Sequence, residues 1–172
     1  MPLASIIIPF YNQGHWLNDA VASALSQDLE DYDIIVVDDG STDPRSRRVF
    51  DELEHPRIRK IRTENGGLAA ARNTGISASD SEYILPLDSD DRIAPTYLRK
   101  AVEILESHPD IGIVYCEAEL FGEAQGRWQV EDFSFPGILT NPQIMACAAF
   151  RKNDWERVGG YQRDMVHGWE DY

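Results

Sequence analysis

The chain has 172 residues, of which 42% are hydrophobic, and a formal net charge of −14 at pH 7. That length and composition fit one soluble globular domain with a sizeable core, and they exclude a disordered chain. The acidity excludes non-specific nucleic-acid binding, which needs a basic face, and gives no attraction toward anionic lipid.

In chain order, residues 4–8 form a short apolar run ended by Pro9, the expected first strand. Leu17, Val21, Ala24 and Leu25 then share one face at helical spacing. Residues 33–39, DIIVVDD, are a β-branched run flanked by acids, as in a strand buried on both faces. In STDP, residues 41–44, a capping side chain precedes Pro44 at the first helical position, so a helix is expected over Arg45–Leu53. Residues 57–62 alternate and predict a strand, 66–77 an alanine-rich helix after two glycines, and 82–87 a fourth strand. Pro95 opens a helix whose Tyr97, Leu98, Ala101, Val102 and Leu105 share a face, and residues 111–120 are expected as a fifth strand. Residues 121–143, rich in Gly, Pro and aromatics, predict an excursion over the sheet's rim, with one short strand at Arg127–Val130. A strand at 144–150 and a short helix at 153–161 with a glycine stop follow.

Such strand–helix alternation predicts a mostly parallel sheet with helices on both faces, in which ligands collect at the carboxyl ends of the strands. Those ends carry Pro9-Phe10-Tyr11-Asn12, then Asp38-Asp39-Gly40-Ser41, then Asp88, Asp90 and Asp91. Two carboxylates about 4 Å apart repel by about 1 kcal/mol in water and about 4 kcal/mol where solvent is partly excluded. Crowded acids at the mouth of a buried strand therefore imply either free hydration or a cation. A hard divalent ion, Mg2+ or Mn2+, takes such oxygens together with substrate phosphates. If the segment is extended, Asp88 and Asp90 point the same way. Asp38 and Asp39 exceed what a helix cap requires and could accept bonds from a base or a ribose. Arg72, a lone arginine in a helix, is expected at the surface on its own merits. The place after the first strand, PFYNQGHW, holds one glycine and no lysine or arginine. That removes the dinucleotide fingerprint and the basic loop expected of a nucleotidyltransferase, and no phosphate-binding P-loop occurs.

The segments SIIIPFYNQGHWLNDAVASALSQ, IIVVDDGSTD, ENGGLAAARNTGI, YILPLDSDD and VGGYQRDMVHGWEDY, in this order, resemble glycosyltransferase family 2. The resemblance implies an α/β chain with a GT-A-type, Rossmann-like central sheet. It implies an inverting transferase that moves a sugar from a nucleotide-diphosphate sugar, most commonly a UDP-sugar, to a hydroxyl on a saccharide, lipid-linked or other acceptor, as in polysaccharide biosynthesis. By resemblance Pro9, Tyr11 and Asp39 line the base and ribose pocket with Asp38 beside them, and Arg72 contacts base or phosphate. Asp90 is the direct ligand of Mn2+ or Mg2+, Asp88 a ribose partner or second ligand, and Asp91 stands behind them. The general base falls on Asp171, with Glu170 next, and Trp169 is an acceptor platform or an anchor. Residues 1–91 then form the nucleotide-binding half and 92–172 the metal and acceptor half of a single domain. Family members usually continue past the acidic pair, and YQRDM at 161–165 departs from the usual run. An excised core, a natural short form, or a nucleotide-sugar-binding module without turnover are the readings this leaves open.

Two further expectations concern compartment. Cys116 and Cys147 are far apart in sequence and in no metal-ligand spacing, so two reduced thiols in a cytosolic compartment are expected. No run approaches the ~18 apolar residues of a membrane span, which predicts a cytoplasmic protein, with a peripheral place at the membrane's inner face left open.

Overall fold

A computed structural model describes residues 1–128, 132–140 and 143–164. Its six-stranded sheet has the order β3-β2-β1-β4-β8-β5. Strands β1 (Ala4–Phe10), β2 (Tyr32–Asp38), β3 (Ile58–Arg62) and β4 (Tyr83–Pro86) are mutually parallel, while β8 (Ala149–Arg151) runs antiparallel to both β4 and β5 (Ile113–Val114). A separate two-stranded ribbon pairs β6 (Ala118–Leu120) with β7 (Gly126–Trp128). Helices α1 (Gly14–Leu25), α2 (Pro44–Glu52), α3 (Leu68–Ala78), α4 (Tyr97–Ser107) and α5 (Lys152–Val158) complete the chain, with a 3-10 turn at Gly137–Leu139.

Alternation along β1 divides the core in two. Ile6, Ile8 and Phe10 face Leu17 and Val21 of α1, Phe50 of α2, and Leu98 and Val102 of α4. Ile7 faces the other way, joining Ile35, Val37 and Ile84 against Ala71 and Ile76 of α3. Gly75 lets α3 lie directly on the sheet: a Cβ there would stand 2.4 Å from Ile7 Cγ2 and 3.1 Å from Val37 Cγ2. Burial on both faces explains why the first two strands read as unbroken apolar runs.

The structure differs from expectation at several points. β1 does not stop at Pro9 but runs through Phe10, because its ladder to β2 continues (Pro9 opposite Val37) after its ladder to β4 has ended at Ile7 opposite Pro86. Pro9 thus falls where the second neighbour is already leaving, so its missing N–H breaks no central ladder. Helix α4 starts at Tyr97 rather than Pro95, with Thr96 as its N-cap. The expected strand over 111–120 is two strands with different partners: Ile113–Val114 joins the main sheet and Ala118–Leu120 joins the ribbon. The strand expected at 144–150 is formed only over Ala149–Arg151. The expected strand at Arg127–Val130 is observed as β7 through Trp128, its remainder lying outside the described residues. α2 matches its expectation closely: Asp43 is the N-cap, accepting from Ser46 N, and Pro44 follows it.

Candidate functional site

Strand order reverses at β1. The chain builds β2 and β3 on one side of it and β4 on the other, and in such a sheet the crevice for ligands lies outside the carboxyl ends of the two strands at the reversal, here β1 and β4. The loop after β1 stitches this crevice together. Asn12, at φ 56, takes the left-handed backbone that asparagine tolerates. Its Oδ1 accepts from Thr42 N and Asp43 N at 2.8 Å each, and its own N–H donates to Ser41 Oγ at 3.0 Å. Gln13 turns to the other side. Ser89 Oγ donates to Gln13 Oε1 at 2.6 Å, and Gln13 Nε2 donates to Asp90 Oδ2 at 3.3 Å. Two adjacent amides therefore join the ends of β1, β2 and β4 into one rim. Asn12 was expected at this strand end but given no role, and Gln13 was not singled out; the short polar run between strand and helix was the local sign.

Residues 88–91 are not extended. Asp91 N donates to Asp88 O at 3.0 Å, closing a turn, so the alternation expected of Asp88 and Asp90 does not hold. Asp88 accepts from Arg72 Nη2 at 2.8 Å, whereas Asp90 is exposed and meets Gln13. The acids still share a field. Burial raises the Asp91 pKa to about 6, and the charges of Asp88 and Asp90 add to the shift. Arg72 is not a surface residue: it is 1% exposed, on the inner side of α3, with Tyr161 stacked on its guanidinium at 5.3 Å. Asn73 holds that tyrosine in place. Its Oδ1 accepts from Tyr161 N at 2.9 Å and from Trp155 Nε1 at 3.2 Å, and its Nδ2 donates to Tyr161 O at 2.9 Å.

The pair after β2 is buried and well bonded. Asp38 Oδ1 accepts from Ser41 N at 2.9 Å and Oδ2 from Arg62 Nε at 2.6 Å. Asp39 Oδ1 accepts from Gly66 N at 2.9 Å and Oδ2 from Gly67 N at 2.8 Å, so this carboxylate shapes the entry to α3. Gly67 sits at φ 87, a conformation side chains resist, and it frees its N–H for that bond. Arg163 reaches the same loop, its Nη2 lying 3.4 Å from where a Cβ on Gly66 would be. Pro9 is buried within β1, and Tyr11, just past its end, is 43% exposed. Asp38, Asp39, Arg72, Asp88 and Asp90 thus all belong to one connected rim. Trp169, Glu170 and Asp171 lie outside the described residues.

The carboxylates crowded at Asp88–Asp91 are hard oxygen donors, and a divalent cation would offset the repulsion that they share. Among the described residues no three or more His, Cys, Asp or Glu side chains converge on one point. The chain would therefore supply one or two carboxylates and a phosphorylated ligand the rest. A second groove of about 510 Å³, lined by Ile113, Met145, Phe150, Trp155 and Val158, opens on the β5–β8–α5 side. Its walls are mostly apolar, and it holds none of the rim's acids. Among the described residues no helix is long and apolar enough to cross a membrane.

Comparison with known proteins agrees with the resemblance. The model of the family described as glycosyl transferase family 2 matches residues 5–162. The uncharacterized glycosyltransferase EpsJ of Bacillus subtilis is 39% identical over 146 residues, covering 84% of this chain and 42% of EpsJ. Chondroitin synthase of Escherichia coli is 35% identical over 116 residues, covering 67% of this chain and 17% of that protein. The mannosyltransferase PcManGT of Pyrobaculum calidifontis, solved with GDP-Man and Mn2+, superposes with a TM-score of 0.71 at 26% identity, over 95% of this chain and 48% of that one. S. aureus TarS 1-349 gives a TM-score of 0.78 at 20% identity, over 98% of this chain and 52% of that one, a likeness of fold alone. The chain spans less than half the length of the curated relatives named here.

Proposed function

The chain belongs to glycosyl transferase family 2, and from that premise we propose that it binds a nucleotide-diphosphate sugar, with UDP as the nucleotide, and passes the sugar to an acceptor hydroxyl with inversion. The observation that supports this most is the meeting of the Asp88–Asp91 turn with the end of β1 through Gln13. It sets hard-oxygen ligands beside a crevice that a nucleotide fits by fold. PcManGT, solved with GDP-Man and Mn2+, supports the same class of ligand.

In this reading Pro9 and Tyr11 form the floor and lip of the base pocket. Asp39 offers its free lone pairs to the ribose or base while holding the Gly66–Gly67 loop, and Asp38 braces the strand end from beneath through Arg62. Arg72 pairs with Asp88 at 2.8 Å and fixes its carboxylate at the end of β4. Asp90, with Asp88, would hold Mn2+ or Mg2+, and the bound cation supplies charge neutralisation to a departing diphosphate. Asp171, with Glu170 next, takes the proton from the attacking acceptor hydroxyl, and Trp169 stacks on the acceptor; these roles rest on the sequence motif. A base on the face opposite the leaving group gives inversion. Residues 1–91 thus handle the donor, and 92–172 supply base and acceptor contacts.

Calorimetric titration of UDP with and without Mn2+ tests the reading. Binding is expected to require the cation, and Asp90→Ala is expected to weaken it by about tenfold or more, the equivalent of about 1.4 kcal/mol. A wild-type chain that binds neither nucleotide nor metal overturns the reading. Binding without transfer to any acceptor in a broad panel favours a nucleotide-sugar-binding module.

A further inference from the structure

Cys116 and Cys147 take no part in the donor crevice, yet the fold brings them together from opposite ends of the excursion. β5 and β8 pair antiparallel with Ile113 opposite Phe150 and Val114 opposite Ala149. The ladder ends there, and Cys116 and Cys147 each lie two residues past its last pair, at the same end of it. The two thiols also act on each other, Cys147 lowering the Cys116 pKa and Cys116 raising that of Cys147. Tyr97 of α4 fixes the spacing of the two segments: its hydroxyl donates to Cys147 O at 2.6 Å and to Val114 O at 3.2 Å. Cys116 is exposed, so a small oxidant can reach it, while Cys147 is half-buried behind it.

We propose that Cys116 and Cys147 form a reversible disulfide, driven by a hydroperoxide, that staples the base of the excursion spanning residues 117–146. Cys116 is the attacking sulfur. The hydrogen bond from Cys147 lowers its pKa to about 7, whereas Cys147, donating that bond and more buried, holds its proton well above the usual thiol range. The Cys116 thiolate attacks one oxygen of hydrogen peroxide, the O–O bond breaks, and hydroxide leaves, giving a sulfenic acid. The Cys147 sulfur then attacks the Cys116 sulfur. The S–O bond breaks, and the hydroxyl leaves as water with the Cys147 proton. In sum the two thiols lose two protons and two electrons, and the peroxide becomes two waters. A small thiol reverses the bond by exchange.

Such a staple would fasten β5 to β8, which pairs directly with β4, the strand that carries Asp88–Asp91 at its end. The bond would add a covalent tie at the base of the excursion to the β5–β8 ladder and the Tyr97 hydrogen bonds.

Mild treatment of the folded chain with hydrogen peroxide tests this. Expected are loss of two hydrogens from the intact mass, joint disappearance of both thiols from a thiol titration, and a peptide pair linked Cys116 to Cys147. Dithiothreitol should restore both thiols. Wild-type protein clipped by protease within 117–146 should stay one piece on a non-reducing gel when oxidised and fall into two when reduced. Cys147→Ser should stop at a Cys116 sulfenic acid that dimedone captures. Thiols that stay titratable, that form separate adducts, or that link two chains would overturn the proposal. No arm of the test uses nucleotide, so its failure leaves the transferase reading untouched.

Discussion

Arg72 shows what one residue contributes here. A guanidinium withdrawn from water costs several kcal/mol unless it is paired, and Asp88 at 2.8 Å with the Tyr161 ring at 5.3 Å supplies part of that compensation. Arg72→Leu should lower stability to urea by about 3 kcal/mol, the low end of the range for breaking a buried ion pair, because Asp88 keeps some contact with solvent. Arg72→Lys should cost less, because it keeps the charge and loses only the planar fork. Asp91 gives a pH signature. Its folded carboxyl binds a proton more tightly than in the unfolded chain, so ionising it removes stability as pH rises from about 4 through about 6. Asp91→Asn removes that loss. The variant should be more stable than wild type in urea unfolding at pH 7, and the advantage should fade below about pH 4. The acids were legible in the sequence because carboxylates crowded behind an apolar strand have few innocent explanations. Arg72's burial was not, since the ring that covers it arrives from a distant segment. The roles of Gln13 and Asn12 were missed for a related reason: amides signal nothing until their partners' positions are known.

Elements were legible where burial is two-sided. β1 and β2 are unbroken apolar runs because helices cover both faces of the sheet, and α2 announced itself by Asp43 and Pro44. The cap carries its own pH dependence. The Ser46 side chain and backbone N–H hold the Asp43 pKa below the ordinary carboxylate value, so its contribution is present above about pH 4 and lost as pH falls through the lowered pKa. Asp43→Ala should therefore lower the urea midpoint at pH 7, with a smaller difference at the acid end. Gly75→Ala should be more damaging, since its methyl would collide with Ile7 on the middle strand; overpacking of this kind costs about 1–3 kcal/mol. The segment 111–120 was misjudged because periodicity does not name a partner. Its two halves both alternate, but one pairs with β8 and the other with β7. β8 itself is three residues long, too short for a pattern to mark its limits.

At the scale of the molecule, the order β3-β2-β1-β4 makes function local. Motifs far apart in the chain gather because parallel strands end on one side, and the reversal at β1 leaves a gap between Pro9–Gln13 and Asp88–Asp91. That much follows from strand–helix alternation alone. Which sugar and which acceptor fill the gap depends on pocket shape and on the length of relatives that this chain does not span. The most direct test of the account is a crystal of the chain soaked with UDP and Mn2+. It should show the diphosphate and cation at Asp88 and Asp90, with the uracil against Tyr11 and Asp39. Nucleotide density anywhere else, or a cation bound away from those carboxylates, would contradict it.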